Sequence, residues 1–237
     1  MNLKQEAAMR ALEMVQNGMC LGLGSGSTTT YFIEMLGKHI LEDQLHGILA
    51  VPTSETTAAH ARSLGIPLTT LSKHAHLDMV VDGADEVDPR LNLIKGLGRA
   101  LLREKIVAVH ADKFVVIVDE SKIVPRLGSH VALPVEIVKF EAQAHVNWLN
   151  TLGCRAELWI EGKDSPRKGE PVVTDNGNYL ALCWFDRQVP AGIPDTHALA
   201  RELADRPGIV EHGLFLDIAN QVIVAGKDGV CIQERGA

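Results

Sequence analysis

Four short clusters carry residue types that do chemistry. The first, Gly22-Leu-Gly-Ser-Gly-Ser-Thr28, is a glycine-rich turn ahead of a helical pattern. Glycines let backbone N–H groups approach an anion closely, and the helix that follows adds unpaired donors and the positive end of its dipole. A phosphate fits such a turn. It lacks the lysine of a P-loop, and Thr28 and Thr29 stand where a dinucleotide fingerprint would place its last glycine. Taken alone, a structural turn without ligand also explains it.

The second cluster crowds Asp82, Asp85, Glu86 and Asp88 into the loop VVDGADEVDP. Neighbouring carboxylates repel, which separates their pKa values and prepares acid and base roles. A solvated acidic turn and a Mg²⁺ site are the competing readings. The third is Lys95-Gly-Leu-Gly98, followed by Arg99, Arg103, Glu104 and Lys105 in a helical pattern. A lysine between apolar strand and glycines suits an oxyanion, and one of Glu104 and Lys105 can face inward while the other joins a solvated face. The fourth, Asp119-Glu-Ser-Lys122, ends the apolar run FVVIV. Each cluster is expected after a strand, so all four project from one sheet edge, where ligands of open α/β sheets bind. Lysines, an anion loop and carboxylates without a nucleophilic cysteine suit proton transfer on a small phosphorylated substrate.

The elements needed to position them are legible in outline. Apolar residues from Leu3 to Val15 follow a helical period that Asn17-Gly18 ends. Strand-sized runs at 19–23, 48–51, 68–71, 79–81 and 114–118 alternate with helical patterns at about 31–36, 56–64 and 99–108. Buried, non-alternating strands separated by helices predict an α/β fold, a Rossmann-like, mostly parallel sheet with helices on both faces. The texture then changes. Residues 131–205 hold a strand at 133–135, a helix near 141–152, a strand at 156–160, Asn176-Gly177 between two β-rich runs, and a helix at about 196–205. They are expected to form a small inserted α+β domain, with 1–130 and 206–237 making the catalytic domain. Apolar runs at 214–218, 222–225 and 230–232 complete the latter.

With 237 residues, 46% of them hydrophobic and 22% charged, the chain has the composition of a globular protein. No apolar run reaches the ~18 residues of a spanning helix, and no signal core opens the chain, so a cytoplasmic protein without membrane contact is expected. Thirty acids against 23 bases give a net charge of −7 and no basic run, which argues against nucleic acid as a partner. Cys20, Cys154, Cys183 and Cys231 form no metal or disulfide pattern, and His74-Ala-His76 has no second cluster. No metal site is expected.

The segments GLGSGST, VDGADEVD, KGLGRALLREK, DESK, TDNGN and GIVEHGLF, in this order over about residues 4–230, resemble ribose-5-phosphate isomerase of the A type. The resemblance implies a cofactor-free aldose–ketose isomerase of the pentose phosphate pathway that interconverts ribose 5-phosphate and ribulose 5-phosphate. A homodimer or higher homo-oligomer is implied as well. By position, Glu104 matches the family's general base, which moves a proton between the first two carbons through a cis-enediolate. Asp82 and Asp85 match the acids that handle the sugar hydroxyls and ring opening, and Lys95 the cation that meets the enediolate oxygen. Ser25, Gly26, Ser27, Thr28, Gly83, Ala84, Gly96, Leu97, Gly98 and Lys122 match substrate-binding positions, and Lys4 a phosphate contact.

Two departures stand out. Ser25 replaces the family's usual threonine, and Leu97 and Arg99 replace glycine or a small residue after Lys95. Leu97 adds bulk where backbone meets substrate, so a paralogue acting on another aldose phosphate is one alternative. A sugar-phosphate sensor is the other, although only about 20 residues precede the first loop, too few for a DNA-binding module. The 161–171 segment, EGKDSPRKGEP, is also long.

Overall fold

The computed structural model describes residues 2–163, 165–186 and 190–236, so Asp164 of the 161–171 segment lies outside the described residues. Two compact units emerge. Unit 1 comprises Met1–Ala84, Arg103–Ile123 and Asp217–Ala237, and unit 2 comprises Asp85–Leu102 and Val124–Leu216. In chain order the elements are α1 (Leu3–Leu12), β1 (Cys20–Leu23), α2 (Ser27–Leu41), β2 (Leu49–Pro52), α3 (Glu55–Ser63), β3 (Leu77–Asp82), β4 (Glu86–Val87), β5 (Leu93–Ile94), α4 (Leu101–Ala108) and β6 (Ala111–Asp119). Then follow β7 (Leu133–Ile137), α5 (Ala142–Leu149), β8 (Arg155–Leu158), β9 (Tyr179–Trp184), α6 (Thr196–Ala204), β10 (Ile209–His212), β11 (Leu214–Phe215), β12 (Gln221–Gly226) and β13 (Gly229–Glu234).

Unit 1 is built on a six-stranded sheet of order β13-β12-β6-β3-β1-β2. All neighbours are parallel except β13, which returns antiparallel along β12 through the GKDG turn. Its strands read as continuous apolar runs because both faces are covered. Leu21, Leu23, Met79, Val81, Val115 and Ile117 point to one face, against Ala7, Ala8 and Ala11 of α1 and Phe32 and Leu36 of α2. Phe32 is fully buried, a burial that stabilises by about 1.5–3 kcal/mol. On the other face α4 comes close enough that a Cβ on Gly22 would lie 2.7 Å from Val107. The mostly parallel α/β sheet expected from the sequence is therefore observed. The first helix is shorter than its periodic pattern; it starts on a capping box in which Asn2 and Gln5 exchange side-chain and backbone hydrogen bonds.

Unit 2 contains an antiparallel sheet of order β10-β7-β9-β8 and a three-stranded sheet of order β11-β5-β4. Val146 and Leu149 of α5 and Leu199 and Leu203 of α6 share a core with Leu133, Val135, Ile137 and Ala181 of the larger sheet. The Asn176-Gly177 turn forms as expected, with Gly177 at φ +83°. Its incoming run makes isolated bridges rather than a strand, Pro171 with Ile160 and Val173 with Tyr179. The fully buried Glu136 carboxylate closes this turn, accepting from the Thr174 hydroxyl at 2.9 Å and from the Asn178 and Asn176 amides at 2.8 and 3.2 Å.

Three features differ from the sequence pattern. The 68–71 run provides only the bridge between Ala50 and Leu68, one rung rather than a strand. The 214–218 run contracts to β11, which pairs antiparallel with β5 instead of joining the parallel sheet. For the same reason Asp85–Leu102 groups with unit 2: β4 and β5 find their partners there, in each other and in β11.

Candidate active site

The glycine turn, Asp82 and the Asp119–Lys122 segment sit where the sequence puts them, at the carboxyl ends of β1, β3 and β6 in unit 1. Asp82 ends β3 and is 1% exposed. Its Oδ1 accepts the backbone N–H groups of Ser25 at 3.0 Å and Gly83 at 2.7 Å, which joins the acid to the glycine turn. Only glycine fits at position 24, since a Cβ there would lie 2.1 Å from the Asp82 carboxyl.

Beyond Gly24 the chain turns at Gly26, φ +114°, and enters the 15-residue α2 with neither a capping side chain nor an acid in its first turn. The positive end of this helix is thus left open to an anion. The Lys4 ammonium from α1 donates to the Ser27 hydroxyl at 2.7 Å, adding a cation to the same helix start. The Ser25 side chain lies in a cluster of hydroxyls. Its hydroxyl lies within 2.9–3.1 Å of the hydroxyls of Thr53, Ser54 and Thr57, and Thr57 in turn donates to the Gly24 carbonyl at 3.1 Å. This hydroxyl group fastens the glycine turn to the start of α3. Thr53, Ser54 and Thr57 were not singled out from sequence; the only signal was Ser54 preceding a helical pattern.

Glu104, 2% exposed, lies in the first turn of α4. Its neighbour Arg103 pairs with Glu55 at 2.8 Å, and that hydrogen bond and the guanidinium charge hold the Glu55 carboxyl below its ordinary range. Lys122, half-buried, ends a short 3-10 turn after β6, started by Asp119 accepting from the Ser121 N–H at 3.0 Å.

The Lys95–Gly98 part of the third cluster belongs to unit 2 and follows β5, a strand of the three-stranded sheet, rather than a strand of the parallel sheet. A common parallel-sheet edge therefore accounts for the other three segments and not for Lys95. The reason lies in β4 and β5, two-residue strands too short to give a periodic signal. Lys95 is 2% exposed; its N–H donates to the Gly213 carbonyl at 2.9 Å and its ammonium lies 5.4 Å from the centre of the Phe215 ring. A Cβ on Gly213 would fall 2.2 Å from the Lys95 carbonyl oxygen, so the GIVEHGLF segment supplies both the glycine and the ring that seat this lysine. Asp85, half-buried, accepts the Leu97 N–H at 2.9 Å, and Gly96 turns the chain at φ +108°.

The remaining acids of the loop have other tasks. Glu86, 1% exposed, accepts the N–H groups of Gly128, His130 and Val131, and Asp88 accepts those of Arg90 and Asn92. Both shape backbone in unit 2. His74 engages Thr69 at 2.8 Å while His76 pairs with Asp112 at 3.0 Å, so the two histidines point to separate partners. Among the described residues no group of three or more His, Cys, Asp or Glu is arranged to hold a metal ion.

In unit 1 a shielded carboxylate suits proton transfer and an open helix N-terminus suits a phosphate, and in unit 2 a shielded lysine suits a developing oxyanion. Known proteins that this chain is similar to are consistent with that chemistry. Residues 49–229 match the family model of ribose 5-phosphate isomerase A (phosphoriboisomerase A). A ribose-5-phosphate isomerase A from Roseiflexus sp. (strain RS-1) is 48% identical over 96% of this chain and 93% of its own length. The probable chloroplastic ribose-5-phosphate isomerase 3 of Arabidopsis thaliana is 45% identical, covering 99% of this chain and 83% of its own. Among solved structures, a D-ribose-5-phosphate isomerase in complex with phospho-erythronic acid superposes with a TM-score of 0.92 at 40% identity, covering 99% of this chain and all of the other.

Proposed function

The chain belongs to the ribose 5-phosphate isomerase A family, and on that premise we propose how its own residues interconvert ribose 5-phosphate and ribulose 5-phosphate. Glu104 is the general base. It takes the proton from C2 of the open-chain aldose, leaving a cis-enediolate; the O2 hydroxyl proton passes to O1, and the proton taken from C2 is returned to C1 to give the ketose. A carboxylate 2% exposed on a helix is shielded from bulk water, and this observation carries the assignment, because the transferred proton must not be diluted into solvent. Lys95 meets the negative charge that develops on the enediolate oxygen. Its seat against Gly213 and Phe215 fixes the cation before reaction, which is what preorganised stabilisation requires. Asp82 and Asp85 hold the sugar hydroxyls and assist ring opening.

The substrate is an anion and the protein carries −7, so the phosphate must be held by local features. The open start of α2, with Gly26, Ser27 and Thr28, supplies N–H donors, and Lys4 and Lys122 supply charge. Gly83, Ala84 and Gly96–Gly98 offer backbone to the sugar. Ser25 joins this set through a hydroxyl oriented by Thr53, Ser54 and Thr57. The related enzymes support neither a sensor nor a different sugar phosphate. A cytoplasmic location is supported by the free thiols of Cys20, Cys154, Cys183 and Cys231. Phe140, 79% exposed, is in keeping with a homo-oligomer, which light scattering would reveal as a mass above 25.7 kDa.

Glu104→Gln is the decisive variant. It keeps size and loses the base, so turnover should fall by about 10²–10⁴-fold with the far-ultraviolet spectrum unchanged. Wild-type enzyme in deuterated water should place deuterium on the receiving carbon only in those turnovers in which the proton on Glu104 exchanges with solvent before its return. Normal turnover by the glutamine variant would remove Glu104 from this role.

A further inference from the structure

The turn after Lys95 contains a residue whose conformation calls for explanation. Arg99 has φ +69°, a left-handed backbone that favours glycine and strains residues with a Cβ. Gly98, just before it, has open space around it, so packing does not force the turn. What holds Arg99 is its side chain. The guanidinium makes a two-pronged pair with Glu161, Nη1 to Oε1 at 3.0 Å and Nη2 to Oε2 at 3.2 Å, and lies 5.1 Å from the centre of the Trp159 ring.

The acceptor is anchored in turn. Glu161 has a side chain only 4% exposed, and Arg167 adds a contact to Oε1 at 3.3 Å. Its backbone N–H donates to Glu170 at 2.8 Å, while Trp159 and Val172 pair at 2.8 Å and Trp159 donates to Leu180 of β9. The carboxylate is therefore rooted in paired backbone attached to the larger sheet of unit 2. Single hydrogen bonds also tie the turn, among them Lys95 to Gly213, Leu97 to Asp85, and Arg99 to Gly96.

We propose that Arg99 is a positioning residue of the isomerase, and that its fork on Glu161 holds the Gly96–Gly98 backbone in the geometry that receives the sugar. The 161–171 segment then serves substrate binding without touching substrate, and the arginine that replaces a small residue does so with a tether in place of glycine's freedom. This rests on the assignment of Gly96–Gly98 to substrate binding and of Lys95 to the enediolate oxygen.

The test compares Arg99→Gly, Glu161→Gln, their combination, Arg99→Lys and Lys95→Met in steady-state kinetics with ribose 5-phosphate. Glycine suits the left-handed backbone, so Arg99→Gly should fold even if Glu161→Gln does not. Expected are a KM raised about tenfold with kcat within about threefold in each single variant, a double variant no worse than either single, and partial recovery in Arg99→Lys, which keeps charge but not the fork. Lys95→Met should lose kcat by at least about 10²-fold. Wild-type KM in Arg99→Gly beside a crippled Lys95→Met would overturn the tether and leave the site assignment intact. An unimpaired Lys95→Met would overturn the site assignment, and the tether with it.

Discussion

At position 24 the chain has no alternative to glycine, since a Cβ would lie 2.1 Å from the Asp82 carboxyl, whereas at position 99 it accepts an arginine at φ +69° and ties it down through Glu161. Both turns follow short strands and carry glycines. The first is fixed from inside: Asp82 accepts two backbone N–H groups and Thr57 donates to the Gly24 carbonyl. Close packing at the end of a parallel sheet sets its shape, so its residues are tightly prescribed. The Lys95–Arg99 turn follows a two-residue strand and has space around Gly98, so a long side chain reaches out for its support. Where backbone is enclosed the sterics choose the residue; where it is open, an ion pair does the same work and the sequence is free to vary.

The largest effect should come from Gly24→Ala. Asp82 must move, stability should fall by about 1–3 kcal/mol, and kcat/KM by about 10²-fold, the cost of a misplacement near 1 Å. Gly98→Ala, with no protein atom within 4 Å of the added carbon, should leave stability within about 0.5 kcal/mol of wild type. Thermal unfolding and steady-state kinetics on the pair decide the contrast. Equal effects would break it.

That contrast also explains what the sequence could reveal. Alternating strand and helix patterns disclosed the parallel sheet because β1, β3, β6 and β12 are buried runs of apolar residues with glycine turns at their ends. The clusters around Ser25, Asp82 and Lys122 followed directly. Lys95 did not, because the strand before it takes its partners from Glu86–Val87 and from Leu214–Phe215, more than a hundred residues later. Pairings that distant leave no local period. The hydroxyls of Thr53, Ser54 and Thr57 were hidden for the same reason, being ordinary turn residues until the sheet brings them to Ser25. Glu161 looked like one more charge in a polar linker, and only its burial separates it from Lys163 or Lys168.

A second prediction probes the enclosed turn more gently. Thr57→Val keeps shape and removes a hydroxyl that donates to Gly24 and accepts from Ser54. Stability should drop by about 1–2 kcal/mol, the consequence of leaving buried partners unmet, with KM little changed because the Thr57 side chain is itself buried. A large rise in KM without loss of stability would mean that the cluster binds the sugar itself.

On the open turn, Arg99→Ala should be less stable than Arg99→Gly by about 1 kcal/mol. Both lose the fork on Glu161, and only alanine keeps the Cβ strain of φ +69°. Denaturant titration of the two variants measures this directly. Alanine at or above glycine would mean that the turn relaxes to an ordinary conformation once the arginine is gone.

The smallest effect is a dependence on pH. Burial works to raise the Glu161 carboxyl, but the Arg99 hydrogen bond and charge, the Ser165 hydroxyl and the Arg167 charge outweigh it and hold the group below its ordinary range. A folded value lowered in this way contributes stability that is fully present above the unfolded value, about 4.3 for glutamate, and is lost as pH falls through the folded value. The difference in unfolding free energy between wild type and Arg99→Gly should therefore be constant from about pH 8 to about pH 5 and shrink only in stronger acid. Arg99 keeps its charge throughout that range, so the acid limb belongs to Glu161. A difference that already narrows between about pH 8 and 6 would assign the titration to a histidine instead, and the tether of the open turn would then not be the Arg99–Glu161 pair.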